Sequence, residues 1–259
     1  MPCDVNTPMA LKPEIIVTPD SSELARAAVH IFVKAAKDSV ARKGCFAVAL
    51  SGGSTPRYMN RMLAQEPHYS SMPWDKAHIF WVDERCVSMD DPASNYGVAR
   101  KDFLDQIPIP VDHVHAMPGE AAPEEGAKIY RNELKTFFGV INEESPAFDL
   151  ILLGIGTDGH TASLFPATPS AALSKKWVVA VKGGTPDVYR LTLTYDVLNG
   201  AKKICFLVSG ENKAPIVKTI FENKQAGLPA QKIQPLNGSL IWLMDREASS
   251  LLSTMSGNI

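Results

Sequence analysis

The chain predicts an α/β protein built on an open, mostly parallel sheet. Two observations carry this. Short apolar, β-branched runs alternate with amphipathic helical patterns. Many of the runs are apolar on both faces, as strands are when helices cover both sides of a sheet.

The elements follow in order. The first strand is EIIVT at 14–18. A helix over about 20–43 opens on Asp20-Ser-Ser-Glu23, where an Asp N-cap with Glu three positions on resembles a capping box. Its apolar stripe includes Leu24, Ala28, Ile31, Phe32 and Ala35. CFAVAL at 45–50 is the second strand, with a helix near 56–65. HIFWVDE at 78–84 reads as one strand, followed by a helix near 95–106. The proline-rich stretch 105–123 reads as a connection, and a helix follows over 123–138. FDLILLGIG at 148–156, WVVAV at 177–181, KICFLVSG at 203–210 and LIWLMD at 240–245 are further strands. An alternating strand begins at Arg190, and a helix lies near 212–224. No repeat or linker interrupts this order. It predicts one domain over 1–259, with about 1–12 as a flexible N-terminal segment.

Composition narrows the function. Hydrophobic residues make up 45% of the 259 and charged residues 21%, ordinary for a globular chain. The net charge of −2 argues against nucleic-acid or membrane-surface binding, which needs excess positive charge. Cys3, Cys45, Cys86 and Cys205 are scattered, so a reducing compartment is expected rather than a disulfide framework. No run reaches the length of a signal sequence or a membrane span. We expect a cytoplasmic protein, monomeric or weakly homodimeric, with no nucleic-acid or membrane partner.

In parallel α/β sheets, ligands sit beyond the carboxyl ends of the strands. Four loops there carry chemistry. Ser51-Gly52-Gly53-Ser54-Thr55-Pro56 joins a strand to a helix. Glycines and a helix start expose N–H groups, an anion site; Ser54 and Thr55 are placed to cap the helix and Pro56 suits its first position. The bland reading is a tight, capped turn. It is no Walker loop, because the G-K-[ST] ending is missing.

At the end of HIFWVDER, alternation sends Asp83 and Arg85 to one side and Glu84 to the other. Arg85 suits bidentate contact with phosphate or carboxylate, and Asp83 suits a sugar hydroxyl or orientation of the arginine. A structural ion pair is the alternative.

LILLGIGTDGH, ending at His160, has the outline of a dinucleotide turn. That fingerprint wants an acid about 20 residues on, yet no Asp or Glu occurs between Asp158 and Asp187. Pro166 also interrupts any following helix. The glycines more simply hold His160 beyond a strand end, with Asp158 two residues before it. Histidine suits proton transfer, and a carboxylate fixes its tautomer. The alternative is a histidine capping the next helix.

Arg190 in YRLTLT and Lys213 in SGENKA complete the set. Each alone reads as a solvated charge; with the SGGST loop they neutralise a phosphate. His113 and His115, in HVH, lack a third metal ligand nearby and read as structural. No metal and no cofactor is expected. No G-x-S-x-G elbow supports a serine hydrolase.

SGGSTP, WVDER, SNYGVAR, GIGTDGHTASLFP, RLTLT and SGENKA, in this order from about residue 14 to 245, resemble the glucosamine-6-phosphate isomerase/6-phosphogluconolactonase family. Thr161-Ala-Ser-Leu-Phe-Pro166 after the histidine and Arg85 at the strand end resemble the lactonase branch rather than the deaminases. The resemblance implies a Rossmann-like, sugar-phosphate isomerase-like fold with helices on both faces. It implies hydrolysis of 6-phospho-D-glucono-1,5-lactone in the oxidative pentose phosphate pathway, without metal or nucleotide. His160 falls on the general base. Gly52, Gly53, Ser54 and Thr55, with Ser51 before them, fall on the phosphate loop. Asp83, Arg85, Arg190 and Lys213 fall on substrate-binding positions. The loop before Arg190 has one proline where relatives often have several, which leaves the reach of Arg190 open. Three rivals remain: an amino-sugar-phosphate deaminase or isomerase, a non-catalytic sugar-phosphate sensor, and a metal hydrolase using Asp83, Glu84, Asp158 and His160.

Overall fold

The computed structural model describes residues 12–140, 145–166, 168 and 176–253. The N-terminal segment expected to be flexible lies, up to residue 11, outside them. In order the elements are β1 (Glu14–Thr18), α1 (Ser21–Lys43), β2 (Phe46–Leu50), α2 (Ser54–Leu63), α3 (His68–Ser71), β3 (Ala77–Trp81), β4 (Asp83–Arg85), α4 (Asn95–Asp102), β5 (Val114–His115) and α5 (Pro123–Phe138). Then come β6 (Leu150–Leu153), β7 (Val178–Gly183), β8 (Val188–Leu193), α6 (Tyr195–Asn199), β9 (Lys203–Val208), α7 (Ala214–Glu222), β10 (Ser239–Asp245) and α8 (Arg246–Ser249).

Seven strands form one parallel sheet in the order β1-β10-β9-β6-β2-β3-β5. Every residue of β2 and β6 is buried, as expected of central strands covered on both faces. The chain proceeds outward from β2 through β3 to β5, then returns to β6 and runs the other way to β9 and β10. The order therefore reverses between β2 and β6. A crevice opens there beyond the strand ends, flanked by the SGGST and GIGTDGH loops.

The single-sheet expectation needs one correction. WVVAV and the Arg190 strand do not join the main sheet. They form, with β4, a separate antiparallel sheet in the order β4-β8-β7. HIFWVDE is accordingly two strands. The break falls at Val82, whose N–H donates to Leu50 O at 2.9 Å in the main sheet and whose carbonyl accepts from Leu193 N at 2.8 Å in the small one.

The helices begin where local chemistry allows. The Asp20 side chain accepts from the N–H groups of Ser22 and Glu23 and caps α1, and Gly44 closes the helix in a left-handed conformation. The helix expected at 95–106 ends at Asp102; Leu104–Gln106 is a separate 3-10 turn.

Candidate active site

The helix α2 starts two residues earlier than expected. Gly53 is its N-cap, and neither Ser54 nor Thr55 caps it; Pro56 is the third residue in. This corrects the capping expectation. Side chains that spare the helix start leave its positive end available to an anion. Gly52 is required here for a different reason: a Cβ would lie 1.9 Å from Asn95 Oδ1. Ser51 is 8% exposed, lines the cleft, and its Oγ has no partner. A buried hydroxyl without a partner is costly, which points to a ligand that supplies one.

The DER strand presents its side chains as alternation requires. Asp83 and Arg85 line the cleft and Glu84 points away. Asp83 does not orient the arginine. Its carboxylate accepts from Ser163 Oγ at 2.6 Å and Asn95 Nδ2 at 3.3 Å, both neutral donors. Glu84, 2% exposed, accepts from the N–H groups of Arg85, Asn95 and Tyr96 and from Ser94 Oγ. Burial pushes the Glu84 carboxyl up, against those bonds. It caps α4 from another strand and so sets Asn95 against Asp83.

Arg85 stands directly opposite Arg190 in the antiparallel register of β4 and β8. Like charges so placed repel. Neither meets a carboxylate in an ion pair among the described residues. Arg85 donates to Ala93 O at 2.6 Å, and Arg190 to Gly183 O, Thr185 O and Pro186 O. The reach of Arg190 is thus set: the hairpin loop's carbonyls hold it, 4% exposed, against the cleft. Burial lowers its pKa, and Arg85 adds to this. The Arg85 Nε is buried without a partner.

In the GIGTDGH loop the imidazole Nδ1 of His160 lies 2.6 Å from Asp158 Oδ1, which also accepts from the His160 N–H at 3.1 Å. This leaves Nε2 for a substrate or water. Burial raises the Asp158 carboxyl, but hydrogen bonds and charge from His160 outweigh it and hold the pKa below the usual value. Gly156 makes room for the pair, since a Cβ there would fall 2.1 Å from the His160 Nδ1. Lys213 donates to Ile155 O at 2.9 Å; burial lowers its pKa and Asp158 opposes that.

All the expected site residues except Asp158 line one cleft of about 250 Å³. Sequence reasoning missed Asn95, Ser163 and Ser209. Asn95 and Ser209 line the cleft, and Ser163 lies behind it. Asn95 and Ser163 stand in the motifs SNYGVAR and GIGTDGHTASLFP, but the partner that gives both a role, Asp83, is distant in sequence. His113 and His115 lie elsewhere, beside His78 and Glu133, and no metal-holding cluster occurs among the described residues. No helix described is long and apolar enough to cross a membrane.

A family model described as glucosamine-6-phosphate isomerases/6-phosphogluconolactonase matches residues 19–242. A 6-phosphogluconolactonase of Synechocystis sp. is 46% identical over 231 residues, covering 88% of this chain and 92% of its own. One from Nostoc sp. is 38% identical and covers 94% and 100%. Among solved structures, the 6-phosphogluconolactonase of Trypanosoma cruzi superposes with a TM-score of 0.83 at 28% identity, covering 95% of this chain and 98% of its own. The chain belongs to the glucosamine-6-phosphate isomerase/6-phosphogluconolactonase family.

Proposed function

We propose that the chain hydrolyses 6-phospho-D-glucono-1,5-lactone to 6-phosphogluconate, the second step of the oxidative pentose phosphate pathway. One observation carries the reading. A carboxylate-backed imidazole shares a cleft with three cations, Arg85, Arg190 and Lys213, whose described hydrogen bonds go to backbone carbonyls rather than carboxylates. None of the three is in an ion pair among the described residues, and the sugar phosphate supplies the negative partner.

The phosphate docks at the α2 start, with Ser51 and the cationic side chains closing around it. Anchoring orients the lactone carbonyl toward His160. With Asp158 holding Nδ1, neutral Nε2 takes a proton from water as it attacks the carbonyl. The tetrahedral oxyanion is stabilised by loop N–H groups or a cation. The ring oxygen then leaves, and the imidazolium returns the proton.

The test is a coupled assay. Glucose-6-phosphate dehydrogenase makes the lactone in situ, and its disappearance is followed with and without the protein and its His160→Ala variant. The wild type is expected to accelerate loss of the lactone and the variant to lose that acceleration. Release of ammonia from glucosamine 6-phosphate, with no effect on the lactone, would replace this reading by the deaminase one.

A further inference from the structure

His160 depends on a turn whose far end is tied to the other sheet. Residues 161–164 form a tight reversal, with Leu164 N donating to Thr161 O at 2.9 Å. Ala162 at its centre has φ +48, a conformation that a residue with a side chain holds only when its surroundings dictate it. Three bonds do so. Thr161 Oγ1 donates to Gly154 O at 2.9 Å, Ser163 N donates to Thr192 Oγ1 at 3.2 Å, and Ser163 Oγ donates to Asp83 Oδ2 at 2.6 Å. Thr161, Ser163 and Thr192 are fully buried and Asp83 is 5% exposed. The last of these bonds spans 80 residues of sequence and joins the histidine loop to the arginine-bearing sheet.

We propose that Ser163 and Asp83 are a positioning pair that sets the distance between His160 and the arginines. This rests on the general-base reading of His160. The pair acts through the turn and does not touch the reacting atoms. Asp83 is thereby taken: one oxygen accepts from Ser163, and the other from Asn95, itself fixed by Glu84. Losing the Ser163 hydroxyl frees the turn to relax from its left-handed residue and lets the imidazole drift from its working position.

The experiment is a double-mutant cycle on the full chain with Ser163→Ala and Asp83→Ala. Each single variant is expected to lower kcat about 10- to 100-fold, the range for a misplaced catalytic group. KM and the Kd for 6-phosphogluconate are expected to stay within about twofold for Ser163→Ala. The double variant is expected to be no slower than the worse single one, because both remove the same link. The His160 imidazole resonance is expected to broaden or shift in Ser163→Ala. Unchanged kcat in Ser163→Ala, or losses that multiply in the double variant, would overturn the pair. If Ser163→Ala fails to fold, Ser163→Cys keeps the volume with a weaker donor and is expected to show the same split. Retained activity in His160→Ala would instead overturn the base reading, and the resonance of Ser163→Ala would still report whether the turn is held.

Discussion

The two ends of the main sheet treat charge in opposite ways. Where β2, β6 and β9 begin, the Asp149 carboxylate is 1% exposed and meets Arg42 at 3.1 Å, Lys43 at 2.8 Å and Lys202 at 3.6 Å, besides the N–H of Ala47. The four charges of that cluster pair with one another. Where the strands finish, the arrangement is turned inside out. The carboxylates Asp83 and Glu84 are satisfied by neutral donors, while Arg85 and Arg190 face each other without an acid. One end pairs its charges within the protein; at the other, under the proposed function, the anion comes from the substrate.

The largest expected effect is at His160. His160→Ala is expected to cut kcat about 10²- to 10⁴-fold and leave the Kd for 6-phosphogluconate nearly unchanged; a loss confined to KM would remove it from the base role. Gly156→Ala, which drives a Cβ into the imidazole and Asp158, is expected to approach the same loss in the same assay. At the other end, Asp149→Ala is expected to lower stability by about 2–3 kcal/mol in urea unfolding and to leave kcat alone. A large rate effect there would erase the division of labour. Arg85→Ala is expected to weaken product binding about tenfold by calorimetry while raising, not lowering, stability in the absence of ligand, since it relieves repulsion with Arg190.

The smallest effect concerns His78, in register with Ala47 at the Asp149 end of the sheet. His78 stacks on His113 at 3.8 Å, and its Nδ1 lies 3.1 Å from the His115 Nε2. Burial, then His113 and His115, lower its pKa from 6.5 to about 4. The folded state thus binds its proton less readily than the unfolded chain. Stability from this source is whole above pH 6.5 and drains away as pH falls toward 4. Solvent around the partly exposed ring limits it to about 1 kcal/mol. His78→Asn is expected to flatten the fall in melting temperature between pH 7 and 4.5.

Much of this was legible in the sequence. Strands apolar on both faces announced a covered sheet, and the turn residues after them announced the cleft. The second sheet was not legible. WVVAV reads the same whether its neighbour is parallel or antiparallel, and nothing in HIFWVDER marks Val82 as the place where partners change. The α2 cap is not legible because Ser54 and Thr55 are good capping residues, yet both positions lie inside the helix. Asn95 and Ser163 were invisible as site residues because their roles come from Asp83, 12 and 80 residues away. Spacing reports neighbours along a helix or strand. It does not report which loop a fold will bring across.

The change of sheet at Val82 has a mechanical meaning. Its two peptide groups are bonded to different sheets, so the arginine hairpin cannot slide along the crevice without breaking a buried bond. The small sheet behaves as a jaw bolted at its root: Arg85, one strand in from the hairpin, keeps its place, while Arg190 is also held from the tip by the carbonyls of Gly183, Thr185 and Pro186. A graft of residues 184–187 from a relative should therefore shift the Arg190 guanidinium and leave Arg85 where it is.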